Sequence, residues 1–263
     1  MNKVDELVDI LSLLYGHGWD ERNGGNVSFI IDEVEAKKIA PSLQELREIK
    51  YKYDFASLVG KYLLVTGSGK YFKNAKKEPE KTIGLLKVKD KNTLSLLWGY
   101  SDGGTPTSEL PTHLQSHTAR LAVSNNHRVV MHCHPTNIIA MTHICPLTDN
   151  FFTETLWKMQ TESIVVFPEG VSVLPWMVCG GEEIGNATAA KMKDFRSVIW
   201  SHHGLFCTGT DLDETFGLVE TIEKAAEIYM KIVGHPIKQS ITNKELKAMA
   251  KAFNVKYREG IID

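Results

Sequence analysis

Val4, Leu7, Val8, Leu11 and Leu14 recur at three- and four-residue spacing and stop at Gly16 and Gly18, which predicts an amphipathic opening helix. The period then changes. Residues 26–31, 62–66, 83–88, 93–99, 128–132, 163–167, 171–174 and 197–200 are short β-branched or aliphatic runs, and each predicts a strand. Helical spacing returns at 108–123, where Ser108 is a candidate cap and Pro111 falls in the first turn. It returns again at 182–195 and 211–234, and a capping box of Thr242 with Glu245 opens a last helix ending near Asn254. The stretch from about 34 to 55 is charged and has no period, so a variable, irregular surface excursion is expected there. No repeat or linker divides the chain, and residues 1–263 are expected to form one domain. Strands and helices mix without a strict β-α-β rhythm. The expected fold is a layered α/β domain whose central sheet, mostly antiparallel or mixed, is flanked by helices.

At 263 residues with 43% hydrophobic side chains, the chain can bury a sizeable core. A net charge of −2 provides no field for nucleic acid or an anionic membrane. Asp5 and Glu6 stand where a signal peptide needs a basic start, and no run of eighteen apolar residues suits a membrane span. Cys133, Cys145, Cys179 and Cys207 make no CxxC pair. The expectation is a cytoplasmic protein with reduced thiols.

Three features carry candidate chemistry. The first is Met131-His132-Cys133-His134 at the end of an apolar strand, where alternation turns both imidazoles to one side and Cys133 to the other. Two such rings can share a metal ion, and Ser201-His202-His203-Gly204, after another apolar strand, offers a third. The bland alternative is polar filling at a strand end, with Cys133 and Cys207 as small buried hydrophobes. There is no HExxH or PCxxC, which disfavours zincin proteases and nucleotide deaminases. The second feature is Pro106-Thr107-Ser108-Glu109-Leu110-Pro111 at a helix start. Glu109 there is either a capping acid or a carboxylate poised to remove a proton α to a carbonyl. The third is a pair of turns, Arg22-Asn23-Gly24-Gly25-Asn26 and Thr66-Gly67-Ser68-Gly69-Lys70. They suit a phosphate yet fit neither the Walker A nor the GxGxxG spacing, and each taken singly is an ordinary turn. The lysines from Lys70 to Lys81 alternate with Glu78 and Glu80 and read as a solvated face.

Together these segments resemble the class II aldolase/adducin family over nearly the whole chain. Val165-Val166-Phe167-Pro168 and Leu212-Asp213-Glu214-Thr215-Phe216-Gly217-Leu218 extend the likeness, while Trp19 to Asn26 and Leu174-Pro175-Trp176-Met177 point to its rhamnulose branch. The resemblance implies zinc-dependent, reversible cleavage of L-rhamnulose 1-phosphate into dihydroxyacetone phosphate and L-lactaldehyde. It implies one Zn²⁺ per subunit on His132, His134 and His203, with Glu109 as catalytic glutamate. Asn23, Asn26, Ser68, Gly69, Thr107 and Ser108 match the family's phosphate and substrate pocket. Glu162 matches an acid lent to a neighbouring subunit's site within a homotetramer. His202 sets a second imidazole beside the expected ligand. The same ligands would serve an aldolase, epimerase or dehydratase for another sugar phosphate. A non-enzymatic adducin-like module would need none of them, and a zinc hydrolase would have no use for the phosphate turns.

Overall fold

The computed structural model describes residues 2–262. At its centre is one sheet built from β1 (Asn26–Ile31), β2 (Arg47–Lys50), β3 (Tyr62–Thr66), β4 (Ile83–Val88), β5 (Thr93–Gly99), β6 (Val129–Cys133), β7 (Ser172–Leu174), β8 (Ser197–Trp200) and β9 (Gly204–Gly209). The order across the sheet is β2-β5-β4-β3-β1-β6-β9-β8-β7, and only β7 with β8 is parallel. The helices are α1 (Lys3–Gly16), α2 (Glu33–Ile39), α3 (Pro79–Thr82), α4 (Leu110–Leu121), α5 (Thr136–Ile144), α6 (Asp149–Met159), α7 (Ser163–Val166), α8 (Glu182–Lys191), α9 (Leu212–Ile232) and α10 (Asn243–Ala252). Among the described residues no helix is long and apolar enough to cross a membrane.

Strand alternation sorts side chains between two layers. Val27, Phe29 and Ile31 of β1 and Val129, Met131 and Cys133 of β6 pack with Leu7 and Leu11 of α1 and Val219 and Ile222 of α9. On the opposite face Ile30, Leu63 and Val65 meet Leu110 and Leu114 of α4, while Val130, Val198 and Phe206 meet Ala119 of α4 and Ile184 of α8. The same alternation sets Asn26, Ser28 and His132 on the α4 side. In the β1–β6 register Asn26 lies directly opposite His132. The polar site is thus assembled where β1, β6 and the start of α4 meet.

Four local expectations differ from the structure. The 34–55 stretch is not irregular. Asp32 and Glu35 form a reciprocal capping box for α2, and β2 then pairs antiparallel with β5 at the sheet edge. Glu48 and Lys50 put charge on that edge strand, which hides it from a hydrophobic reading. Residues 163–167 are not a strand, because the Val165 and Val166 amides both return to the Glu162 carbonyl at 2.9 Å and the Trp157 indole N–H takes the Phe167 carbonyl at 3.1 Å. Their β-branched run folds as α7 with no sheet partner. Ser108 does not cap α4; Glu109 occupies the cap position, and Pro111 lies in the first turn as expected. Helices α5 and α6 follow β6 where the hydrophobic pattern predicts no element. Apolar residues go round α5 rather than along one stripe, whereas the cap of α6, Thr148 accepting from the Phe151 amide at 3.2 Å, is a legible signal.

Candidate metal centre and active site

The rings of His132, His134 and His203 form a triangle with all three centroid separations at 5.0 Å. One ligand atom from each lies within 4.8 Å of the others. His132 is held by β6 and stacks on Phe206 of β9 at 4.3 Å. His134 follows directly after β6 and is pinned by its amide, which donates to the Trp19 carbonyl at 2.9 Å. His203 comes from the three-residue turn between β8 and β9. Two glycines make room for the triangle. A Cβ on Gly24 would sit 2.6 Å from the His134 ring, and one on Gly204 would sit 2.9 Å from both His132 and His134.

The hydrogen bonds behind the rings fix which nitrogens face inward. The Nδ1 of His132 meets the Leu205 carbonyl at 3.1 Å, and the Nδ1 of His134 meets the Glu21 carboxylate at 2.7 Å. Both partners only accept, so each Nδ1 carries a proton and each Nε2 faces inward. Those two Nε2 atoms stand 3.3 Å apart, and Glu109 Oε2 is 3.8 Å from that of His132. Burial holds His132 well below the usual imidazole range and His203 at about 4, so these two rings are neutral at pH 7. Ring nitrogens and a carboxylate converging this closely suit a cation. The donor set fits a metal with three nitrogen ligands and an open position, and Glu21 is its outer carboxylate.

Glu109 is buried at the head of α4 but takes no capping role. Its amide donates to Thr107 Oγ1 at 3.2 Å, and its carboxylate accepts from the Asn26 side chain at 2.9 Å. Burial raises its pKa; the Asn26 hydrogen bond and nearby His134 oppose that. The two glycine turns are sewn together behind it. Buried Asp20 accepts from the Gly25 amide at 3.0 Å and the Phe72 amide at 3.2 Å, and burial outweighs both bonds to push its carboxyl up to about 6. The Ser68 amide donates to the Thr105 carbonyl and the Thr107 amide to the Thr66 carbonyl, which brings the 66–70 turn beside 105–109. Among the described residues the side chains of Asn23, Ser68 and Ser108 and the Gly69 amide have no partner within the protein, which leaves them for a ligand. Lys70 is committed to Asp102 and Asn26 mainly to its two neighbours.

His202 turns away from the triangle. Its amide donates to Thr142 Oγ1 at 3.0 Å and its ring packs on His143 at 4.2 Å. Glu162 belongs to neither ligand cluster; it is exposed beside His17, Trp19 and Glu220 in a cleft of about 380 Å³. A cleft of about 730 Å³ lies apart, between α6, the end of α9 and α10, with Met159, Ile232 and Met249 in its wall. Sequence reasoning missed Asp20, Glu21 and Cys179. The last is an exposed thiol whose sulfur lies within 4.8 Å of the Glu109 carboxylate and the His203 ring. Asp20 and Glu21 lie within the Trp19–Asn26 run, and Cys179 follows Leu174–Met177 by two residues.

Beneath the site His113, His117 and His127 are buried, and burial holds His113 and His127 at about 3 and His117 well below its usual range. Their unfolded pKa, near 6.5, is higher, so the stabilisation is complete above that pH and is lost as pH falls through it. Between pH 7 and pH 5 each ring should cost about 2 kcal/mol of stability. Urea midpoints of metal-free protein at the two values test this; equal midpoints would contradict it.

Residues 5–230 match the family described as the Class II Aldolase and Adducin N-terminal domain. The chain belongs to the class II aldolase/adducin family, whose aldolases depend on a metal ion. It is 50% identical over 262 residues to a rhamnulose-1-phosphate aldolase of Listeria monocytogenes serovar 1/2a, covering 99% of this chain and 96% of that one. To a protein of the same name from Enterococcus faecalis it is 47% identical, covering 99% and 94%. The solved structure of a sugar-phosphate aldolase from Thermotoga maritima superposes with a TM-score of 0.75 at 28% identity, over 89% of this chain and 97% of that one.

Proposed function

We propose that this chain catalyses reversible cleavage of L-rhamnulose 1-phosphate to dihydroxyacetone phosphate and L-lactaldehyde, with one Zn²⁺ per subunit on His132, His134 and His203. The observation that carries the reading is the convergence of three imidazoles with the Glu109 carboxylate, in a chain half identical to relatives of that name. When bound, the ion supplies positive charge for the enediolate left as the C3–C4 bond breaks. Asn23, Ser68, Gly69, Thr107 and Ser108 hold the phosphate and hydroxyl groups, and Asn26 holds Glu109. In the synthetic direction Glu109 takes the proton from the carbon beside the carbonyl of dihydroxyacetone phosphate. In cleavage it returns that proton. Phosphate gripped away from the reacting bond supplies binding energy for orientation.

The reading includes a homotetramer in the cytoplasm, with sites near subunit interfaces and Glu162 serving a neighbour's site as acid or base for the C4 hydroxyl. Exposed Trp176 and Val178, just before Cys179, support burial against another subunit, and four free thiols suit a reducing compartment. Glu162→Ala should lower turnover by about 10²-fold with the assembly intact by light scattering; an unchanged rate would leave Glu162 a surface acid. The reaction is tested by dihydroxyacetone phosphate release from L-rhamnulose 1-phosphate, before chelation, after it, and with zinc restored. Release that chelation stops and zinc restores is expected. A folded, zinc-loaded protein with no release would overturn the substrate.

A further inference from the structure

From Glu109 a line of buried polar groups runs away from the metal centre. Glu109 Oε2 accepts from Asn26 Nδ2 at 2.9 Å, and the other end of that amide, Oδ1, meets His113 Nε2. His113 Nδ1 lies 2.7 Å from Ser28 Oγ, Ser28 Oγ lies 2.8 Å from His117 Nε2, and His117 Nδ1 lies 2.9 Å from His127 Nε2. The two central histidines sit one turn apart on α4, and Asn26 and Ser28 are the two polar residues that alternation turns toward that helix. All five are buried, and His127 ends the line at a cleft it lines with Lys61 and Arg128.

The chemistry of each member sets the direction of every bond. A carboxylate only accepts, so the Asn26 amide nitrogen faces it and the Asn26 oxygen must accept from His113 Nε2–H. His113, neutral with one N–H, then offers a lone pair at Nδ1 and takes the Ser28 hydroxyl proton. Ser28 oxygen in turn accepts from His117 Nε2–H, and His117 Nδ1 accepts from His127 Nε2–H. Every hydrogen bond therefore points toward Glu109. The line is not a proton conduit, because an amide in its path has no proton it can pass on without becoming an imidic acid. It is a brace. If the Asn26 amide turned over, its oxygen would face the carboxylate and its NH₂ would push against the His113 N–H.

We propose that His113, Ser28 and His117 are positioning residues: their one-way hydrogen bonds hold the Asn26 amide nitrogen against Glu109 and thereby aim the carboxylate in the reaction. The inference rests on Glu109 being the base of the proposed aldolase. The first test does not depend on that. Long-range ¹H–¹⁵N spectra of ¹⁵N-histidine-labelled, zinc-loaded protein at pH 7, assigned with single-histidine variants, should show His113, His117 and His127 as Nε2–H tautomers. An Nδ1–H tautomer at His113 or His117 overturns the brace whatever the substrate. The second test separates positioning from packing. His113→Gln keeps an N–H near the place of Nε2, and His113→Leu keeps only bulk. The leucine variant should lose about 10- to 100-fold in kcat with KM little changed, while the glutamine variant recovers most of it. Ser28→Ala, a smaller change to the interior, should lower kcat in the same way and release the His117 tautomer. A buried position with only a packing role would rank leucine at or above glutamine, and that order overturns the proposal. Absence of turnover on L-rhamnulose 1-phosphate in the unaltered chain strikes the substrate instead, and the tautomers then decide for or against the brace.

Discussion

Glu109→Gln abolishes most turnover, by about 10²- to 10⁴-fold, while the protein still folds and still binds its metal. The carboxylate is buried at the head of α4, held by the Asn26 amide and spared any capping duty, so its removal costs no helix terminus. Glutamine fills the same volume and cannot take a proton. Because burial raises the Glu109 pKa, the ionised side chain is a burden to the folded state at neutral pH, and the variant should melt no lower than the parent. Zinc content and thermal midpoint are the controls. Near-normal turnover with both intact would remove Glu109 from the mechanism.

His134→Ala should lose both metal and activity. One corner of the ligand triangle disappears, leaving His132 and His203 with the carboxylate. Metal stabilisation of developing charge is worth several kcal/mol, so turnover should fall by about 10³-fold or more. Glu21→Gln supplies the graded companion. The Nδ1 of His134 loses an ionised acceptor and keeps a neutral one, which should weaken metal affinity by about 10- to 100-fold without emptying the site at saturating zinc. Zinc measured by atomic absorption after dialysis against a graded chelator separates the two. Full occupancy of His134→Ala would falsify the ligand set.

The elements legible in the chain are those whose chemistry is local. β1, β3, β4, β5 and β8 keep the bounds that their apolar runs suggest, and the Thr242–Glu245 box opens α10 as its spacing requires. Strand alternation alone places His132 opposite Cys133, and Cys133 lies in the apolar core. Where one pattern serves two purposes, it misleads. The Ser163–Ile164–Val165–Val166 run has strand propensity, but its Val165 and Val166 amides find the Glu162 carbonyl rather than a sheet edge. β2 pairs with β5 through the backbone while its side chains stay charged.

Sequence by itself marked the candidate ligands, the HxH alternation, the candidate base and the two glycine turns, because each is written in residues a few positions apart. The family likeness already favoured His203 over His202, and the tertiary structure supplies the physical reason: a turn with His202 at φ +61° sends the adjacent rings in different directions. Only the tertiary structure decided that Glu21 orients His134, that Asp20 ties one glycine turn to the segment after the other, and that Asn26 stands between Glu109 and His113, 83 and 87 residues away. Such pairs have no spacing to betray them. They arise when β1, β6 and α4 pack, and burial then demands that every polar group caught between them find a partner.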